Sequence, residues 1–324
     1  SGVRFDICLR EQTNELNMNS HLDIESPADG LALNTLTICS QENPKAAILF
    51  IHGLCGKIGR MLPTMSHFAA EGYACIGFDM RGHGDSIKTE EDRGYTYHGG
   101  SKAMAEDIRA VIGWIENNFP KTPIYIVAHS MGSLAARTFL ESEDTHINGL
   151  VLCGSPSYNP LSPYARIFLQ AYNEITGGHD RLEALQRFTS NLYNKDFEDD
   201  GFQAWMCSDP EERQKFFDDP ECNYTCTTDC SLTLLMLMKE TYSKKGWHVA
   251  NPSLPILFIS GENDSCMISM KRFHQSAGFL NSVGYTDVSS IIFPDMRHEV
   301  LNEIGKESAW QAISEFISRE RPDG

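Results

Sequence analysis

Short runs of uninterrupted apolar residues alternate, through most of this chain, with longer stretches whose apolar residues recur at helical spacing. The runs "AAILFIHG" (46–53), "YACIGFDM" (73–80), "PIYIVAHS" (123–130) and "INGLVLCGS" (147–155) have strand length and no polar alternation. Strands hydrophobic on both faces belong to parallel sheets covered on both sides. The crossovers are the stretches between them: "RMLPTMSHFAAEG" (60–72) ending at Gly72, "SKAMAEDIRAVIGWIENNF" (101–119) closed by Pro120, and "SLAARTFLES" (133–142). The pattern predicts an α/β protein with a mostly parallel central sheet and helices on both faces.

The alternation stops at Ser157 and resumes with the strand in "PILFISGEND" (255–264). A helical stretch near 269–281, the strand region "DVSSIIFPDMRH" (287–298) and a last helix near 302–319 follow. The same sheet is being completed, so we read one core, 1–156 with 255–324, carrying 157–254 as an insertion between two late strands. No internal repeat or low-complexity linker interrupts it. The insertion has fifteen acidic and nine basic residues, a net of −6, within a chain of net charge −17. Such a surface excludes nucleic-acid backbones as partners and disfavours anionic lipid. No apolar run approaches the roughly 18 residues that span a bilayer. The opening "SGVRFDICLR" has neither an initiator Met nor an apolar signal core. We therefore read Ser1-Gly2 as a tag remnant or a trimmed end and expect a cytoplasmic location. The ten cysteines are irregularly spaced and read as free thiols. Cys222, Cys226 and Cys230, four apart, would share one helix face, but no His lies among them, so buried thiols are expected in place of a metal site.

Two segments match a relaxed Gly-x-Ser-x-Gly turn: Ala128 to Gly132 around Ser130, and Gly99 to Ala103 around Ser101. Ser101 follows the polar stretch "DRGYTYHGG", which reads as a helix cap. Ser130 follows "IYIV" and precedes a helix rich in small residues, the strand-turn-helix that lifts a serine Oγ out of a sheet. A serine hydroxyl needs a base to take its proton and a carboxylate to orient that base. Asp264 and His298 follow late strands in the order Ser, Asp, His, at the carboxyl edge where open α/β sheets place their sites. Glu262 and Asp295 are the alternatives for the acid. Backbone N–H groups of Leu54 and Met131 are the expected oxyanion donors. His52, and the loop "GFDMRGHGDS" (77–86) with Asp79, Arg81, His83 and Asp85, read as structural.

"FIHG", "FDMRGHGDS", "VAHSMGS", "SGENDS" and "MRHEVLNE", in this order and spacing, resemble the α/β-hydrolase superfamily. Within it they resemble the monoacylglycerol lipase and lysophospholipase group of serine aminopeptidase-like hydrolases. "WMCSDPEE" and "DDPECNYTCT" resemble cap segments of bacterial members. The chain departs from the family pattern at Ala128, usually Gly, and at Lys57, usually acidic. The resemblance implies an α/β-hydrolase fold with 157–254 as a helical cap, a triad of Ser130, Asp264 and His298, and no metal or organic cofactor. It implies an acyl-enzyme mechanism on small-molecule esters. Within the cap, "SLTLLMLMKETY" (231–242) offers Leu234, Leu237 and Met238 as the lining of an acyl tunnel or, equally, as packing of the cap onto the core. Cleavage of neutral monoesters with medium or long acyl chains is the first reading. An aminopeptidase or amidase on the same triad is the second, and a ligand-binding receptor on a hydrolase fold the third.

Overall fold

The computed structural model describes residues 18–319, so Ser1 and Gly2 lie outside the described residues. Two strands precede those read above: β1 (Met18–Glu25) and β2 (Ala32–Cys39) pair antiparallel, with Glu25 opposite Ala32. The apolar runs become β3 (Ala47–Ile51), β4 (Ala74–Phe78), β5 (Ile124–His129), β6 (Gly149–Cys153), β7 (Ile256–Gly261) and β8 (Val288–Phe293). All eight form one sheet in the order β1-β2-β4-β3-β5-β6-β7-β8. β2 joins β4 antiparallel, and every pairing from β4 across to β8 is parallel.

Nine α-helices accompany the sheet among the described residues: α1 (Leu62–Ala70), α2 (Gly100–Asn118), α3 (Met131–Glu143), α4 (Ser162–Thr176), α5 (Glu183–Asn194), α6 (Pro210–Asp218), α7 (Thr228–Thr241), α8 (Met270–Val283) and α9 (Glu307–Ser318). Ile108 and Ile112 of α2, Leu134 and Phe139 of α3 and Phe273 of α8 pack on one sheet face. Phe68 of α1 and Ile313 and Phe316 of α9 pack on the other. This double cover explains why β3, β4 and β6 are buried along their whole length. The chain passes from β3 to β4 on one side and then, through α2, crosses to β5 on the other side of β3. The crevice at the carboxyl ends of β3 and β5 is therefore the topological switch point, where such sheets bind ligands.

Between β6 and β7 lie α4 to α7 and no strand among the described residues. The insertion is not cleanly separable from the core. α7 packs along α2 and α3 as well as α4. Leu237 and Met238 are buried in the same cluster as the strands, at roughly 2 kcal/mol of burial each, so α7 is fixed as part of the core's helical layer.

Candidate active site

At the end of β5 the backbone turns sharply, and Ser130 takes φ 52° and ψ −121°, a region in which a side chain is strained. The local sequence permits it. A Cβ on Gly132 would lie 2.8 Å from Ile51 Cγ2 and collide with the His52 carbonyl oxygen, so that position requires glycine. Ala128 is wholly buried within β5, and its methyl is accommodated there. Ser130 N–H donates to Cys153 O (3.0 Å) and Ser130 O accepts from Ser133 N–H (2.9 Å), which pins the turn between two strands and the start of α3.

The turn points the serine hydroxyl at His298, with Oγ 2.9 Å from Nε2. His298 Nδ1 is 2.9 Å from Asp264 Oδ1. That oxygen also accepts from Cys266 N–H (2.8 Å), and Oδ2 accepts from the Ser260 hydroxyl (2.8 Å). Asp264 and His298 are buried, whereas Ser130 is half-buried. Burial pushes the Asp264 carboxyl up, but His298 and the hydrogen bonds outweigh it and hold the pKa below the ordinary carboxylate value. Burial likewise opposes charge on His298, while the Cys266 sulfur and the Asp264 carboxylate favour it, and the balance stands above an ordinary histidine. Glu262 and Asp295 are exposed, so neither alternative acid occupies this position. Ser101 is not a cap. It lies inside α2, whose N-cap residue is Gly99, and its Oγ is buried without a hydrogen-bond partner.

The loop after β3 lies against Ser130, since a Cβ on Gly53 would approach Ser130 Cβ to 2.9 Å. Gly56 N–H donates to Gly53 O (3.1 Å), closing the turn that carries Leu54. Met131 is the first residue of α3, where helix geometry leaves the N–H without an intrahelical acceptor. Both residues expected to donate to an oxyanion thus flank Ser130. His52 accepts from Met80 N–H at Nε2 (2.9 Å) and donates from Nδ1 to Gly53 O (2.8 Å). Burial lowers its pKa to about 4, so it is a neutral brace for the loop. Asp79 accepts from the N–H groups of Ile58 and Asp85, and Arg81 pairs with Asp107 (2.7 Å), the structural roles that the glycine-rich loop implied.

Several residues at the site had no signal in the linear pattern beyond the resemblance of "WMCSDPEE". Trp205, from the insertion, has its ring 5.2 Å from that of His298. Glu299 N–H donates to Met206 O (2.8 Å), Arg297 Nη1 to Ala204 O (2.7 Å), and Arg297 pairs with Asp200. Ser265 Oγ donates to Tyr193 O (2.8 Å). Lys57, the departure from the family pattern, pairs with Asp219 and Glu221 at 2.6 Å each and ties the loop of Leu54 to the insertion. Cys222, Cys226 and Cys230 do not share a helix face. Only Cys230 lies on α7, and the three are buried with Cys55 and Cys207 in a separate apolar cluster. Leu237 and Met238 are buried in the main core and Leu234 packs against it. The one group of described residues with metal-ligand atoms close together is Asp264, Cys266 and His298, within 4.8 Å, and two of these are hydrogen-bonded to each other. No described helix is long and apolar enough to cross a membrane.

The family model of serine aminopeptidase, S33, matches residues 42–305. Lysophosphatidylserine lipase ABHD12 of Mus musculus is 34% identical over 90 residues, which are 27% of this chain and only 20% of that protein. Among solved structures, a highly thermostable carboxyl esterase from Bacillus coagulans superposes with a TM-score of 0.83 at 21% identity, covering 92% of this chain and 97% of that one. Monoglyceride lipase from Saccharomyces cerevisiae superposes with a TM-score of 0.69 at 14% identity, covering 96% and 97%. At these identities the structural likeness bears on the fold.

Proposed function

Because the chain belongs to the serine aminopeptidase S33 family of hydrolases and has its α/β-hydrolase fold, we propose that it is a serine hydrolase of neutral carboxylic monoesters with medium or long acyl chains, a monoacylglycerol being the best candidate. The observation that carries this reading is the unbroken relay from Ser130 Oγ to His298 Nε2 and from His298 Nδ1 to Asp264, with the serine on a strained turn. Ser130 Oγ attacks the ester carbonyl while His298 Nε2 takes its proton, and the Asp264 carboxylate stabilises the resulting imidazolium. The N–H groups of Leu54 and Met131 receive the developing oxyanion. Collapse expels the alcohol, which takes the proton from His298 and leaves an acyl group on Ser130. Water, deprotonated by the same histidine, then releases the acid.

Residues 157–254 act in this reading as a cap, with Trp205 above the histidine. Tyr164, Phe168 and Ile175 on α4 and Phe188 and Leu192 on α5 are exposed, an apolar cover suited to meeting a lipid-like ester. The acidic balance of the insertion disfavours an anionic one. An aminopeptidase needs a free carboxylate for the substrate's ammonium group. Asp219 and Glu221 pair with Lys57, Glu299 with Arg60 and Asp200 with Arg297, so these four are not free for that role, and the unpaired Glu262 and Asp295 face solvent. The test compares glyceryl monoesters of rising chain length with lysophospholipids and aminoacyl amides. At about 0.8 kcal/mol per buried methylene, kcat/KM should rise about fourfold per carbon and then level off. A preference for acetyl esters, or faster cleavage of the amides, contradicts the proposal.

A further inference from the structure

Away from the triad, a cavity of about 390 Å³ opens where α4, α7 and α8 meet. Arg166 from α4, Lys239 from α7 and Arg272 from α8 line it, and no carboxylate does, in a chain where acidic residues outnumber basic ones by 44 to 27. Lys57, Arg60 and Arg81 are paired with carboxylates, Arg213 is held by backbone carbonyls, and the buried Arg137 lies over the rings of Tyr242 and Phe258. Among the described residues Arg166, Lys239 and Arg272 form no ion pair. Arg166 gives Nη1 to Gln170 Oε1 (3.1 Å), but its Nε is buried without a hydrogen-bond partner. A buried guanidinium N–H without an acceptor is costly, and three like charges around one cavity repel unless an anion sits between them. The rest of the wall includes Ser243 and Gln275 as donors and the aromatic rings of Tyr158, Tyr242 and Phe279. Tyr242 meets each of the other two rings at 5.7 Å.

We propose that this cavity is a second small-molecule site that binds a phosphate monoester carrying an apolar or aromatic body. A phosphate monoester brings close to two negative charges and three terminal oxygens to three cations, two of which are forked donors suited to bidentate contacts. A carboxylate brings one charge and two oxygens. The aromatic wall takes the body, and the volume is that of an ordinary ligand pocket. None of the wall residues is Ser130, His298, Asp264, Leu54 or Met131, so the site is distinct from the catalytic one. It is nonetheless close by. The Tyr242 hydroxyl donates to Pro156 O (2.7 Å), and the next residue, Ser157, donates its N–H to Cys266 O (3.0 Å) on the loop of Asp264.

Phenyl phosphate is the probe, titrated calorimetrically into the full chain and into its Ser130→Ala form. One saturable site in both, weakened by added salt, is expected, with inorganic phosphate and phenol each binding more weakly. Arg166→Gln and Arg272→Gln should each weaken binding about tenfold, Lys239→Gln less, while Lys102→Gln changes nothing. Unfolding midpoints without ligand should not fall and should rise slightly, because each substitution relieves repulsion among the three cations. Saturating phenyl phosphate should leave the rate of fluorophosphonate labelling of Ser130 unblocked, which separates this proposal from the hydrolase reading. Absence of saturable binding, indifference to both arginine substitutions, equal binding of benzoate, or blocked labelling of Ser130 would each overturn it.

Discussion

Replacing Asp264 by asparagine separates the charge of the proposed catalytic carboxylate from its hydrogen-bond geometry. Oδ1 accepts from both His298 and Cys266 N–H, whereas Oδ2 meets only the Ser260 hydroxyl. A hydroxyl can rotate to accept, and a backbone N–H cannot. The asparagine therefore keeps its oxygen at the Oδ1 position and turns its amide nitrogen to Ser260. His298 retains the Nδ1–H tautomer, with Nε2 still able to take the serine proton. What disappears is the attraction between carboxylate and imidazolium, about 4 kcal/mol at ~4 Å and an effective dielectric of ~20, part of which the amide dipole restores. We expect kcat/KM to fall about 10² to 10³-fold, less than the ~10⁴-fold loss that follows when an amide imposes the wrong tautomer. The pH profile carries an independent sign. His298 works as base only when neutral, so activity rises with pH through its pKa, which Asp264 helps to hold above the ordinary value. Without that carboxylate the desolvation remains, and the acid limb should move to lower pH. Hydrolysis of a medium-chain p-nitrophenyl ester from about pH 5 to 9 reads both effects. A loss of 10⁴-fold or more with an unmoved limb, or a loss below tenfold, would refute the reasoning.

Three further substitutions probe the scaffold. Gly132→Ala drives a methyl against the His52 carbonyl and Ile51, so urea unfolding should report a loss of at least about 1–3 kcal/mol together with reduced turnover. Leu237→Ala empties a fully buried position and should cost about 2–5 kcal/mol in the same measurement, with the acyl-chain preference of the remaining activity unchanged. Ser101→Ala removes a buried hydroxyl that has no partner, so activity should stay within about twofold of the parent and stability should not fall.

The central parallel strands were legible because each is buried on both faces and writes itself as a continuous apolar run between helical crossovers. β1 and β2 pair antiparallel toward the sheet edge, where burial is uneven, and "ALNTLTIC" mixes polar with apolar residues, so no such run marked them. Ser130, Asp264 and His298 were legible from strand context and chain order. Their surroundings were not, because the Trp205 ring, the Ser260 hydroxyl and Cys266 N–H reach the site through tertiary folding that spacing does not encode. The Met/Leu run of α7 is apolar whether it lines a tunnel or packs a core, and only its place against α2 and α3 distinguishes the two. Cys222 and Cys226 precede the helix because α7 begins only at Thr228, after the Thr227 side chain caps it by accepting from Cys230 N–H.

The central claim is that Ser130 is the activated nucleophile, and covalent labelling tests it most directly. A fluorophosphonate should modify the parent chain at a single residue, with the mass-shifted peptide carrying Ser130. Ser130→Ala should remain folded, take up no label, and lose ester turnover by about 10⁴-fold or more. Labelling that persists in Ser130→Ala, or a parent chain that is never labelled under conditions where it hydrolyses esters, would contradict the account.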